Sequence, residues 1–449
     1  MIHDAKQNAG WQGRFFSIWG GQAFSLLGSG LVQFALVWWL TQATGSATVL
    51  AMATLMATLP GVFLAPFAGA LVDRWDRRLV MMMADGLIAL ATLGLAVLYG
   101  LGAERVWIVY AVMFCRAAGG SFHWAAMQAS TSLLVPEEQL SRVAGLNQTL
   151  HGVVNIVGPP AGALLLQLLP LQGILAIDVS TALLAIAPLL VVSIPQPEAR
   201  EVDGRVGSKI TVVQDVGEGF RYVRGWPGLF AVLLMGAGVN FLLTPAMSLM
   251  PLLVTDHFGG GALELGWLES SWGVGVVVGG LILGAWGGFE RRIMTALTGL
   301  AGIGLGFLLA GVVPSSALAV AVGGFFLAGM MNPVTNGPIL AVVQAWVEPG
   351  MQGRVFALVQ SLTTAATPLG MLIAGPVADA FGVRVWYVVG GTTCVLMSAV
   401  GALVPAVVHL EEGRPGVRGA TAARPDSGAR EARLEGGVIE VVSVGHGQE

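Results

Sequence analysis

Few charged side chains stand inside the long apolar runs of this chain, and those few are the ones that could do chemistry. They are Arg116, Asp178 and Glu269, with His123 and His151 on the same kind of apolar stretch. A carboxyl group in apolar surroundings favours its neutral form, and a guanidinium beside it favours the charged form. A carboxyl that alternates between those two settings captures and releases a proton. Arg116 supplies the guanidinium, and Asp178 or Glu269 the carboxyl; either acid would equally serve a structural role, pairing with a cation or reaching interfacial water. The two histidines are the next proton carriers, because imidazole titrates near neutral pH. A packed, hydrogen-bonded His123 would equally serve a plain helix–helix contact. A further acid, Asp85, lies close to the end of its run and is read as support for the arginine-rich loop before it.

Uncharged polar residues recur at helical spacing on the same runs. Gln22, Ser25, Ser29 and Gln33 fall at intervals of three and four, so they share one helix face. Arg116, Gly120, His123 and Met127 form a second such face. Gln148, His151, Asn155, Gly158 and Gly162 form a third. Asn240 with Thr244, and Asn332 with Asn336, are weaker equivalents. Lipid does not solvate such stripes, so they are expected to face an interior cavity that takes an amphipathic small molecule.

The elements that must position these faces follow from composition. The chain has 449 residues, of which 55% are hydrophobic and only 11% charged. A helix crosses a bilayer with about 20 mostly apolar residues, so the runs suffice for about twelve crossings. The 26 acids and 22 bases are too few to cover a soluble globule. A net charge of −4 gives no reason to expect nucleic acid as a partner. Cys115 and Cys394 both lie in apolar runs, which speaks against a disulfide framework or a Cys-based metal site. Neither Lys6 nor Lys209 follows a glycine, so no Walker A loop is present and an ion gradient is the expected energy source. No cofactor or metal is expected, and the chain is not read as an enzyme. No pore-like ring of charge suggests a channel.

Apolar runs begin near Phe15 and divide into six before residue 194 and six after residue 226. The domains read as 1–194, a first six-helix bundle; 195–225, a charged central loop; 226–409, a second six-helix bundle; and 410–449, a disordered tail. With both termini on the cytoplasmic side, 19 of the 22 Lys and Arg residues fall inside, two outside and one, Arg116, within a span. That asymmetry sets the orientation. Landmarks recur between the halves. Arg77-Arg78 and Arg291-Arg292 are 214 residues apart, and Arg142 and Arg354 are 212 apart. The fold class expected is all-α and integral to the membrane, with twelve helices in two pseudo-symmetric bundles facing a central cavity.

The second run ends in Gly69-Ala70-Leu71-Val72-Asp73-Arg74-Trp75-Asp76-Arg77-Arg78. This resembles the loop motif of the major facilitator superfamily, with Asp76 where a glycine is usual. Gly69 is expected to permit close helix approach. Asp73 is expected to meet the N-terminus of the eleventh span near Arg354, where the helix dipole favours an anion. Arg74, Arg77 and Arg78 complete this gating motif, and the arginines also anchor topology. Arg116 with Gly120 resembles the superfamily's fourth-helix motif. Gly158-Pro159 with Gly162 resembles its antiporter motif, in which the proline bends the helix and the glycines let a neighbour approach. Phe15-Phe16 to Gln22, Thr44-Gly45-Ser46, Val135 to Leu140, Ala176 to Val179 and Gly287 to Arg291 are similar to the macrolide-efflux branch. The resemblance covers about residues 14–409. It implies the major facilitator fold, drug/proton antiport and a bacterial inner membrane. A monomer is expected. The same branch holds exporters of siderophores and other metabolites. An uptake symporter and a non-transporting scaffold are the remaining alternatives; the scaffold gives no use to polar residues at mid-membrane.

Overall fold

In the computed structural model the described residues are 11–72, 75–192, 194 and 212–412. Asp73, Arg74 and residues 413–449 lie outside them. Every element among the described residues is helical. The first half comprises α1 (Trp11–Thr44), α2 (Ala47–Val72), α3 (Arg77–Gly100), α4 (Val106–Leu134), α5 (Leu140–Leu168) and α6 (Leu171–Val191). The amphipathic helix α7 (Val212–Arg224) follows. The second half comprises α8 (Pro227–Ser248), α9 (Ala262–Trp286), α10 (Arg292–Val312), α11 (Leu318–Trp346), α12 (Pro349–Phe381) and α13 (Arg384–Leu403). Ten of the twelve long helices have the length and composition to cross a membrane. The others are α4, with its polar face, and α12.

Local chemistry sets the boundaries. Asp76 caps α3 by accepting from the Leu79 backbone N–H at 3.1 Å. Pro227 and Pro349 open α8 and α12 in the first turn, where the missing N–H costs nothing. Glu264 reaches back to accept from the Gly261 N–H at 2.8 Å at the start of α9. Gly287 ends that helix at φ +79°, a left-handed conformation that suits glycine. Gly45, at φ +58°, makes the tight turn between α1 and α2. After α8 the chain passes through Met250–Leu252 and a π-helical turn, Leu253–His257.

Helix packing repeats between the halves. In the first, α1 packs on α5 and α6, α2 on α4, and α3 on α4 and α6. In the second, α8 packs on α12 and α13, α9 on α11, and α10 on α11 and α13. The two sets map onto each other helix by helix. The contacts between halves, α5 with α9 and α2 with α12, map onto each other as well. The duplication expected from the arginine spacing is thus present, with one correction of register. Arg77 opens α3 and donates to the Ala129 carbonyl at 2.7 Å; Arg292 opens α10 and donates to the Ala341 carbonyl at 3.3 Å. Arg77 therefore corresponds to Arg292 and not to Arg291.

Two further expectations change. The central segment is not loop throughout, because α7 forms in it and packs on α12, burying Tyr222 and Val223. Glu218 on α7 meets Arg354 on α12 at 3.1 Å. The tail does not begin at residue 410: Leu410 is buried, and Glu411 accepts from the Ile293 N–H at 2.7 Å.

The buried apolar residues reveal how the halves join. At the end carrying Arg77 and Arg292, the arginine end, they form two separate clusters. Phe15, Met81 and Leu189 belong to the first half, and Trp226, Leu297 and Val355 to the second. From mid-helix to the Gly45 end a single cluster spans both halves, with Leu36, Leu40 and Leu50 joined to Leu252, Leu265 and Ala374. Asp379 of α12 adds hydrogen bonds to the start of α2 at that end, and Ser270 of α9 donates to the Ile156 carbonyl of α5 at 2.8 Å.

Candidate functional site

Three adjoining cavities lie on the inner faces of the helices. One of about 270 Å³ is in the first half and one of about 390 Å³ in the second. The largest, about 630 Å³, lies between the halves. Gln33 and Ala57 line both the first-half and central cavities, and Met247 and Trp272 line both the central and second-half ones. The polar stripe of α1 does what its spacing implied: Gln22, Ser25, Ser29 and Gln33 all line the first-half cavity. Arg116, Gly120 and His123 face it from α4, whereas Met127 packs into the apolar cluster of the arginine end. Asn240, Thr244, Asn332 and Asn336 gather at the second-half cavity.

Arg116 and Asp178 form a buried ion pair. The Arg116 Nη1 also donates to the Thr92 hydroxyl. The Asp178 carboxylate accepts from the hydroxyls of Thr92 at 3.0 Å and Ser29 at 3.1 Å. Four helices, α1, α3, α4 and α6, are tied together by this cluster. A buried pair survives because its remaining lone pairs and protons are satisfied, and removing one partner leaves an uncompensated charge. Gly28 permits the approach of α6 to α1 here: a Cβ on it would stand 2.2 Å from the Thr181 hydroxyl and 3.3 Å from the Asp178 Cα.

About two turns toward the arginine end, Asp85 forms a second polar cluster. Gln22 Nε2 donates to its carboxylate at 3.1 Å, and His123 Nε2 stands 3.6 Å from its other oxygen. That distance is an ion-pair separation, too long for a hydrogen bond. The buried His123 Nε2 has no hydrogen-bond partner among the described residues. Asp85 thus lies on the first-half cavity with Gln22 and His123, and not against the arginine loop as its sequence position suggested. The reason is helix phase. Asp85 and Thr92 are seven residues, about two turns, apart on α3, so they share the inward face.

The remaining expected residues scatter. Asn155, Gly158 and Pro159 line the central cavity. Gly162 packs against the Phe34 ring, which a Cβ would approach to 3.0 Å. Among the described residues, Gly158 and Gly69 meet no atom of a neighbouring element within 4 Å at the Cβ position, so neither marks the close approach expected of it. His151 rests against the Trp124 ring, with centroids 5.4 Å apart. Gln148 is exposed, outside the three cavities; its neighbour Asn147 instead accepts from the Trp19 indole at 2.8 Å. Arg78 donates to the Leu190 carbonyl at 2.6 Å. Glu269 lines the central cavity, away from Arg116 and Asp178. Sequence reasoning missed Thr92, Trp272 and Asp379, of which only Thr92 carried a signal, its spacing from Asp85.

Two pseudo-symmetric six-helix bundles around a polar-lined cavity define a major facilitator superfamily transporter. The chain belongs to the family described as transmembrane secretion effector, whose profile matches residues 11–415. It is a multi-pass membrane transporter of a small-molecule substrate, and not an enzyme. It is similar to Macrolide efflux protein A of Streptococcus pyogenes, 35% identical over 402 residues, covering 89% of this chain and 98% of the relative. It is also similar to Multidrug efflux pump Tap of Mycobacterium tuberculosis, 29% identical over 416 residues, covering 89% and 95%. The crystal structure of nucleoside transporter NupG shares the fold, with a TM-score of 0.63 at 12% identity over 85% of this chain and 98% of that one.

Proposed function

We propose that the chain exports amphipathic organic compounds, macrolide-type drugs among them, in exchange for protons by alternating access. One observation carries the reading: the halves share a single apolar cluster at the Gly45 end and keep separate ones at the arginine end, around a cavity between them. That is the arrangement of a rocking transporter closed at one end. The names of the relatives at 35% and 29% identity support export and drug-like cargo. The bias of Lys and Arg supports the arginine end, and both termini, facing the cytoplasm of a bacterial inner membrane. The transporting unit is a monomer with bundles 1–194 and 226–409. Gly69, Asp73, Arg74, Arg77 and Arg78 gate the arginine end.

The proton site in this reading is Asp85 with His123. Asp178 already has its cation in Arg116, and His151 is packed on Trp124. Asp85 has an imidazole at ion-pair distance and an amide donor, Gln22, and it borders the cavity. The pair loses a proton when the cavity opens to the arginine side and regains one when it opens to the Gly45 side. The test is drug efflux in cells with ATP maintained and a protonophore added, then substrate-induced proton movement in proteoliposomes. Efflux should collapse with the gradient, and Asp85→Asn should end proton movement. Efflux that survives the protonophore refutes the antiport reading.

A further inference from the structure

The central cavity contains a carboxylate that no cation among the described residues neutralises. Glu269 lines it together with Gln33, Phe34, Asn155 and Trp272. Among the described residues no hydrogen bond or ion pair engages Glu269. The basic side chains in the adjoining first-half cavity already face other acids: Arg116 faces Asp178, and His123 faces Asp85. Trp272 follows Glu269 by three residues on α9, so the indole and the carboxylate share a face. An indole ring attracts a cation through its quadrupole. The rest of the wall is apolar, amide (Gln33, Asn155) or hydroxyl-bearing (Thr54, Thr58, Ser248), and about 630 Å³ suits a drug-sized body.

We propose that Glu269 and Trp272 form the subsite for the positively charged head of an amphipathic organic cation, an amine or onium compound. The subsite rests on the export reading and assigns the substrate class within it. The apolar body of the ligand lies along Phe34 and the neighbouring aliphatic side chains. Glu269 here binds cargo, and the proton travels at Asp85.

Tetraphenylphosphonium, a permanent cation, and chloramphenicol, a neutral amphiphile, separate the possibilities. Equilibrium binding of each to the purified full chain in detergent is measured first, because binding does not depend on transport. Glu269→Gln should weaken tetraphenylphosphonium binding by about tenfold or more, the scale of losing a partner for a desolvated charge. Trp272→Ala should weaken it less, and Glu269→Asp should restore most of it. Chloramphenicol binding should stay within about twofold throughout. Failure of the wild-type chain to bind the phosphonium, or binding unaffected by Glu269→Gln, overturns the subsite. In proteoliposomes, Glu269→Gln should keep the proton movement that accompanies chloramphenicol. Its loss there would make Glu269 the proton carrier and overturn the proposal. A wild-type chain that binds the cation through Glu269 but exports neither compound would refute export and leave the subsite standing.

Discussion

The Asp379 carboxylate at the end of α12 sits on the first turn of α2, with Thr48 as its main partner. It accepts from the Thr48 hydroxyl at 2.6 Å and the Thr48 N–H at 3.1 Å, and from the Ala47 N–H at 2.7 Å. The Gly375 backbone approaches Thr48 so closely that a Cβ there would stand 2.4 Å from the Thr48 Cα. An anion at a helix N-terminus satisfies orphan N–H groups and meets the positive end of the dipole. Because α2 and α12 belong to different halves, this contact holds the Gly45 end shut. The corresponding position on α5 is Gln167, so only one side of the pseudo-symmetric pair carries the acid.

Replacing Asp379 with Asn keeps the size and removes the charge. At an exposed helix terminus that charge is worth about 0.3–1 kcal/mol. The population open at the Gly45 end should therefore rise up to about fivefold. Spin labels at the exposed positions 42, at the end of α1 beside the Gly45 turn, and 381, at the end of α12, report the separation of the two halves at this end. A distance distribution identical to that of the parent protein would show that Asp379 does not hold the end closed.

Much of this fold was written in the sequence in a form that survives without tertiary information. The stripe from Gln22 to Gln33 has helical spacing on an otherwise apolar run, and lipid leaves it one direction to face. The arginine pairs marked the repeat, although Arg292 rather than Arg291 proved to be the partner of Arg77, because helix starts and not charges set the register. Asp85 was misread because distance along the run was used and helix phase was not. Glycine roles were legible only in part. Gly158 and Gly162 look alike in sequence, yet only Gly162 meets a ring, since which neighbour crosses a helix is decided elsewhere in the chain. Asp379 gave no local signal at all: its partner on α2 is 331 residues away.

That difference between glycines is measurable. Gly28→Ala drives a methyl group to 2.2 Å from the Thr181 hydroxyl, which is itself bonded to the Asp178 carbonyl. Such overpacking costs about 1–3 kcal/mol. Gly158→Ala meets nothing within 4 Å and should gain about 0.5–1 kcal/mol from helix propensity. Thermal unfolding in detergent should move down for the first variant and up slightly for the second. An unfolding temperature unchanged or raised in Gly28→Ala would mean that the α1–α6 contact at Gly28 is looser than described.

The Arg116–Asp178 pair separates stability from coupling. Either Arg116→Ala or Asp178→Asn alone leaves a buried charge or a buried donor set without its partner. A loss of about 3–5 kcal/mol is expected, enough to reduce the amount of folded protein in the membrane. Replacing both, as Arg116→Met with Asp178→Asn, removes the charge imbalance. Thr92 and Ser29 can still donate to the amide oxygen that takes the place of the carboxylate, so most of the stability should return. If the pair only ties α1, α3, α4 and α6 together, the double variant should also recover substrate-induced proton movement in proteoliposomes. The Asp85–His123 site is untouched in it. A double variant that unfolds at the parent temperature yet moves no protons would put Arg116 and Asp178 on the proton path and displace Asp85 from it.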